Sequence, residues 1–361
     1  MENSNKEKIQ RQSNFEILRI FAIIMIIFHH IAVHSNFSSS NITSYLYIVF
    51  IQMGGKIGVN IFVLISGYFL INTEKIKIKK ILKLWGQMFF YSLLIYAIFT
   101  ISGIRKFENT GLISALFPVL NETWWFATVY FILYLISPIL NIILKKINKK
   151  IYNKIIIFVL VFLSIMPNFK CEGNLINSLI WFIVLYCVSG YIKLYSDDWK
   201  ISNKKCFIFS AIIVLITYSI VSIFYKTNSY LFAMESLPIF LISYLLFLGF
   251  KKTNIKNNKY INKLASTTFG IYLIHDNMYM RSFLWCNLFN LKFYESTSFL
   301  IPYAICIGFM VFTICAIIDL IRQYTVERYY MKFMDIVEKM INYLKIQFLI
   351  LTENSGVGER G

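Results

Sequence analysis

Apolar residues fall in long runs separated by short polar clusters, and each run approaches the roughly 20 residues that a helix needs to cross a hydrocarbon core. The runs occupy positions 15–34, 44–71, 81–102, 124–144, 154–169, 175–193, 206–225, 230–250, 264–286 and 298–320. This pattern predicts an all-α integral membrane protein with about ten transmembrane helices. The second run is too long to cross at right angles and holds Gly54-Gly55, so it is expected to tilt or break there. Beyond the last run, Tyr330, Met334, Val337, Ile341, Leu344, Phe348 and Leu351 share one helical face. Lys332, Asp335, Glu338, Lys339 and Lys345 lie elsewhere on that helix, which predicts an amphipathic helix on the cytoplasmic interface rather than an eleventh span. The expected organisation is a leader over 1–14, a membrane domain over 15–321, a tail helix over 322–351 and a disordered end over 352–361.

Composition agrees with the pattern, with 58% hydrophobic and 18% aromatic residues. The net charge of +18 would suit a nucleic-acid partner if the basic residues formed one patch. They lie instead in short clusters between alternate runs, as orientation in a membrane requires, so no nucleic acid is expected. Of the 36 Lys and Arg, only Lys56, Arg105, Lys106, Lys170, Lys226, Arg281 and Lys292 fall on the side away from the N-terminus. That asymmetry predicts both termini in the cytoplasm and a multi-pass protein of the cytoplasmic membrane. The segment after the first run has no small-x-small cleavage site, so the first helix is expected to remain in the protein. Cys187, Cys206, Cys306 and Cys315 read as core residues, whereas Cys171 and Cys286 are both expected on the outer side.

Polar groups inside hydrocarbon are the first candidates for chemistry because keeping them there is costly. The first helix carries Glu16, Arg19, His29 and His30. Eleven residues separate Arg19 from His30, which returns to within roughly 20° of the same face and about 16 Å along the axis. One face therefore carries a cation near the cytoplasm and an imidazole in the outer third of the membrane. A partly dry cavity favours the neutral imidazole, which makes His30 either a general base or an interhelical hydrogen-bond partner. His29 points some 80° away from Arg19 and is the poorer candidate. His30 and His34 are four apart, as a metal pair would be, but no carboxylate or cysteine at matching spacing joins them and no metal is expected. Lys56 in the second run shares the depth of His30 and is read either as part of a common site or as a snorkelling cation, with Ser66 further along the same helix.

On the outer side, Glu122, Trp124 and Trp125 suit a sugar, by hydrogen bonds and ring stacking, or an interfacial aromatic belt. Glu235 is an acid near the outer end of the eighth span, and His275 heads a polar cluster with Asp276 and Arg281 in the ninth. His275 and Asp276 are adjacent and so do not face each other on a helix.

The stretch Phe15-Glu16-Ile17-Leu18-Arg19 with its following His30, and the segment from Lys56 through Gly58, Asn60 and Phe62 to Ser66-Gly67-Tyr68, resemble the membrane-bound acyltransferase-3 family. Trp124-Trp125-Phe126, Ser137-Pro138 and Phe269-Gly270-Ile271-Tyr272-Leu273-Ile274-His275 follow in the family's order, so the resemblance spans Phe15 to about Ile321. It implies a ten-helix O-acyltransferase, usually an acetyltransferase, that uses cytoplasmic acyl-coenzyme A. His30 and Arg19 take the positions of the family's essential histidine and arginine, and Lys56 one where a basic residue is usual. At Asn60 many relatives are acidic, and the soluble hydrolase-like domain of some relatives has no counterpart here.

The expected reaction is transfer of an acyl group, acetyl first, to a hydroxyl of a cell-envelope or exported polysaccharide or its lipid-linked precursor. In this reading His30, Arg19 and Glu16 are catalytic, and Arg19, Lys56 and Ser66 hold acetyl-CoA. Glu235, Trp124, Trp125 and His275 meet the acceptor. Basic clusters such as Lys75-x-Lys77-x-Lys79-Lys80 attract the anionic donor or anionic lipid of the bilayer. The rival class is a transporter of a small amino acid or an acylated glycan, with the same polar groups lining its path.

Overall fold

A computed structural model of the chain describes residues 11–38, 41–166, 170–171, 173–195, 201–224 and 229–356, and among these every regular element is helical. The helices are α1 (Ser13–His34), α2 (Ile42–Leu70), α3 (Ile78–Ile101), α4 (Asn109–Leu116), α5 (Trp125–Lys146), α6 (Lys149–Ile165) and α7 (Leu175–Tyr195). They continue with α8 (Asn203–Phe224), α9 (Leu237–Lys251), α10 (Lys259–Ala265), α11 (Thr268–His275), α12 (Met278–Ser282), α13 (Leu300–Arg322) and α14 (Arg328–Gly356). Eight segments are long and apolar enough to cross a membrane: α1, α2, α3, α5, α7, α8, the stretch Tyr230–Lys251 that ends in α9, and Leu300–Met340. The chain is a multi-pass membrane protein, because closed helices satisfy backbone polar groups that hydrocarbon cannot.

Two of the expected spans take another form. The fifth corresponds to α6, which has 17 residues, and positions 167–169 of that run lie outside the described residues. The ninth is not one helix. Its backbone leaves helical geometry at Asp276, and Asn277 caps the next helix by accepting a hydrogen bond from the Tyr279 amide at 2.9 Å. Apolar periodicity does not register such a break, because the residues on either side of it are equally apolar.

The second span, by contrast, does not break at Gly54-Gly55. α2 is continuous over 29 residues, and its glycines serve close packing against α1. A Cβ on Gly55 would lie 2.2 Å from Cγ of His29, and one on Gly58 would lie 2.7 Å from the Ala22 carbonyl oxygen. The two helices therefore touch backbone to side chain along this stripe, which brings the polar face of α1 against α2.

Side-chain amides tie the remaining helices to this pair. Asn60 of α2 donates to the Met234 carbonyl at 2.8 Å and accepts from Trp181 Nε1 of α7 at 3.0 Å. Asn141 of α5 donates to the carbonyls of Leu70 and Thr73, satisfying the end of α2, and accepts from Tyr186. Pro138 sits inside α5 and cannot bond the Tyr134 carbonyl, which instead accepts from the Ser137 hydroxyl at 2.8 Å. Ser13 and Asn14 anchor the start of α1 to Asn258, Asn262 and the Phe250 carbonyl.

The tail continues α13 through a π-helical turn, Gln323–Glu327, into α14. Lys79 of α3 pairs with Asp335, and Tyr330 donates to the Lys83 carbonyl at 3.2 Å, so the first turns of α14 lie along the start of α3. Tyr330, Met334 and Val337 are half-buried and Leu344 is exposed, while the side chains of Ile341, Phe348 and Leu351 lie outside the described residues. Helix α14 runs on to Gly356, so 352–356 is helical rather than disordered; 357–361, like 1–10 of the leader, lies outside the described residues. Adding residues to an existing helix fixes one residue per hydrogen bond, so continuation is favoured over a fresh start. All six cysteines are free, and Cys171 and Cys286 form no disulfide.

Gly55→Ala places a methyl group against the His29 ring and is expected to cost about 1–3 kcal/mol, read as a lower apparent Tm in detergent. Asn60→Asp keeps the acceptor for Trp181 but cannot donate to the Met234 carbonyl. A loss of about 1–3 kcal/mol is expected in the same assay.

Candidate active site

Helix α1 runs beside a cavity of about 740 Å³ that it lines from Glu16 to His34, a rise of about 27 Å. At the end that carries the N-terminus the walls include Arg11, Arg19, Lys80 and Lys83. At the other end they include Lys56, Glu122, Asn174, Glu235 and Arg281. Aromatic rings of Phe62, Phe126, Tyr130, Phe269 and Tyr272 form the waist, where Phe126 stacks on Tyr130 and meets Tyr272 edge-on. A cationic mouth, an apolar waist and a mixed-charge mouth thus follow one another along a single helix.

His30 lies in the outer part of this cavity, and its neighbours determine its tautomer. The Ile271 carbonyl can only accept, so His275 Nδ1, 2.6 Å away, carries the proton of that bond. His275 Nε2 is then an acceptor, and His30 Nδ1 donates to it at 2.9 Å. His30 Nε2 faces Asp276 Oδ1 at 3.5 Å. Asp276 is held from the other side by Arg281, whose Nε and Nη2 donate to its two oxygens at 2.8 and 3.1 Å. His34 Nε2, one turn further along α1, lies 3.6 Å from the same Oδ1.

The break in the ninth span makes this cluster possible. Within a continuous helix His275 and Asp276 would point about 100° apart. Because α11 ends at His275, the Asp276 side chain turns back toward α1, and the two residues approach His30 on its two different nitrogens. Discontinuous helices are tolerated at membrane depth where they line a cavity, as here.

Arg19 sits at the cationic mouth and holds Glu16 at 2.9 Å. The second oxygen of Glu16 is buried without a hydrogen-bond partner. About 16 Å of helix separates this pair from His30, so Glu16 belongs to the mouth and not to the imidazole. A further charge network braces the same mouth. Asp319 accepts from Gln87, Tyr91, Arg322 and Gln323, and its side chain occupies the space left by Gly270. Arg322 pairs with Glu327 at 2.8 Å, out of line for a hydrogen bond, and Lys83 pairs with the same acid.

Of the other residues singled out in the sequence, Lys56, Ser66, Trp125 and Glu235 line the cavity. Ser66 donates to the Phe62 carbonyl at 2.7 Å and lies 3.1 Å from the Tyr130 hydroxyl, while Glu235 accepts from the Cys171 amide at 3.3 Å. His275 and Trp124 do not reach it: both are fully buried, so neither is placed to touch an acceptor. His29 bonds the Gln52 carbonyl at 2.6 Å, with its ring against Gly55. Asp276 and Arg281 read in the sequence only as polar neighbours of His275. Their one local signal was a carboxylate in an apolar run followed by Asn277, a residue that starts helices.

Fold and site together describe a helical membrane bundle with a buried imidazole pair beside a cavity that has a cationic mouth. The family model for the acyltransferase-3 family, an acyltransferase domain, matches residues 12–320; the chain belongs to that family and is a membrane acyltransferase. Searches among curated proteins and among solved structures return no match.

Asp276→Asn and Arg281→Met are each expected to lower the apparent Tm. The double substitution should lower it by less than their sum, giving a coupling of about 1–3 kcal/mol; additive effects would show that the pair contributes nothing to stability.

Proposed function

We propose that the protein transfers an acyl group, acetyl first, from cytoplasmic acyl-coenzyme A to a hydroxyl of a cell-envelope or exported polysaccharide or its lipid-linked precursor. The observation that carries this reading is His30, bonded through Nδ1 to His275 and lining a cavity whose cationic mouth lies about 16 Å down the same helix. Arg19, with Arg11, Lys80 and Lys83 around it, suits the phosphates of the donor. The aromatic waist suits its extended pantetheine arm, which Ser66 meets as a polar contact. The positive-inside asymmetry supports placing this mouth in the cytoplasm and the protein in the cytoplasmic membrane.

His30 acts as the general base. Nε2 takes the proton of the acceptor hydroxyl as that oxygen bonds to the thioester carbonyl carbon, and the carbon–sulfur bond then breaks. The imidazolium returns its proton to the departing thiolate. Asp276 stabilises the imidazolium from 3.5 Å, and Arg281 keeps that carboxylate aimed. His275 positions the ring by fixing its tautomer. Lys56 offers positive charge to the oxygen that becomes negative, and Glu235 and Trp125 orient the acceptor at the outer mouth.

In membranes given labelled acetyl-coenzyme A, His30→Ala is expected to reduce labelled acceptor at least about 100-fold in protein that still inserts. Unchanged turnover would overturn the role of His30. His275→Ala is expected to lower kcat about tenfold or more with KM for the donor unchanged, because it disturbs the base and not the mouth. The transporter reading shares the broken ninth span; uptake or efflux by reconstituted vesicles without acyl-coenzyme A would favour it.

A further inference from the structure

Three potential metal ligands converge where α1 meets the break in the ninth span. His30 Nε2, His34 Nε2 and Asp276 Oδ1 all lie within 4.8 Å of one another, at 3.5 and 3.6 Å from the carboxylate oxygen to the two imidazoles. Around a tetrahedral zinc ion with bonds of about 2.0–2.2 Å, ligand atoms stand about 3.3 Å apart, close to the two carboxylate–imidazole distances here, and the two imidazoles would draw together on an ion. We propose that these three residues form a binding site for a divalent transition-metal ion of the zinc type, and that an ion bound there blocks acyl transfer.

The surroundings of each ligand match those of metal sites. A ligating imidazole usually donates its other nitrogen to a fixed acceptor, and a ligating carboxylate is usually hydrogen-bonded from behind. His30 donates Nδ1–H to His275, which is itself anchored on the Ile271 carbonyl, so the ring is held with Nε2 aimed at Asp276. Asp276 is gripped by Arg281 through both oxygens. His30 and His34 are four apart on α1 and present Nε2 on one side of the helix.

Two imidazoles and one carboxylate select zinc, cobalt, nickel or copper over magnesium or calcium, which take oxygen donors. All three residues also line the cavity, so a fourth position stays open to a water or substrate oxygen. Arg281 and Lys56 add positive charge to the same end of the cavity, which makes binding weaker than at a structural zinc site.

Blockage follows from one lone pair. His30 Nε2 cannot coordinate an ion and accept a proton from a hydroxyl at once. The inhibitory half of the proposal rests on the acyltransferase reading; the binding half does not. His34 takes no part in the proposed transfer, so it separates the two.

The test titrates the purified full-length protein in detergent with Co²⁺, followed by ligand-field absorption, and with Zn²⁺, followed by calorimetry. One ion per chain is expected, and His34→Gln should weaken binding at least about tenfold. In parallel, Zn²⁺ should suppress labelled acetyl transfer at the concentrations that fill the site, a chelator should restore it, and His34→Gln should transfer at the metal-free rate through at least about tenfold more Zn²⁺. No stoichiometric binding, or equal binding by His34→Gln, overturns the site. Binding that leaves transfer unchanged or raises it overturns the blockage. Metal-free protein that binds Co²⁺ as expected yet transfers nothing refutes the acyltransferase reading alone.

Discussion

Hydrocarbon offers no hydrogen-bond partner, so a polar group held inside this bundle is stable only if another helix supplies one. That constraint accounts for most of the helix-to-helix connections. Asn60 joins α2 to α7 and to the Met234 carbonyl by using both ends of its amide, and Asn141 does the same for the end of α2. His30 meets it by bonding His275 of α11, and the arrangement leaves one imidazole nitrogen unspent. One side of the ring thus stabilises the fold, and the other faces Asp276 at the cavity wall.

Close contact between α1 and α2 brings this about. Without Gly55 and Gly58 the helices would stand further apart, and the polar face of α1 would not share a cavity with Lys56 and Ser66. Charge then divides along the axis. Basic residues gather at the mouth by Arg19, where Glu16, Asp319 and Glu327 partly offset them, while the Asp276–Arg281 pair stands beside His30.

Much of the fold was legible because membrane helices announce themselves by length and apolarity. Eight of the expected runs are long apolar helices here, and the family resemblance carried by the Arg19–His30 spacing and the Ser66-Gly67-Tyr68 segment holds over residues 12–320. Where the reading departed from the structure, short-range detail decided. Gly54-Gly55 signals a break and close packing equally well, and only the presence of His29 opposite distinguishes them. The break in the ninth span depends on Asp276 and Asn277, two residues in a long apolar run. Trp124 and Trp125 are neighbours in the sequence, yet only Trp125 lines the cavity, because α5 begins at Trp125 and Trp124 caps it in an extended conformation.

The sequence by itself determined the helical membrane class, the family, and the common face of Arg19 and His30. Each rests on composition or on spacing within one helix, where geometry is set locally by 3.6 residues per turn. Only the tertiary structure decided what surrounds His30. His275 and Asp276 stand some 245 residues away in the chain, and no local periodicity relates them to α1. Their approach depends on how the helices pack and on where the ninth span ends. The same packing turned His275 and Trp124 away from the cavity and joined His34 to Asp276.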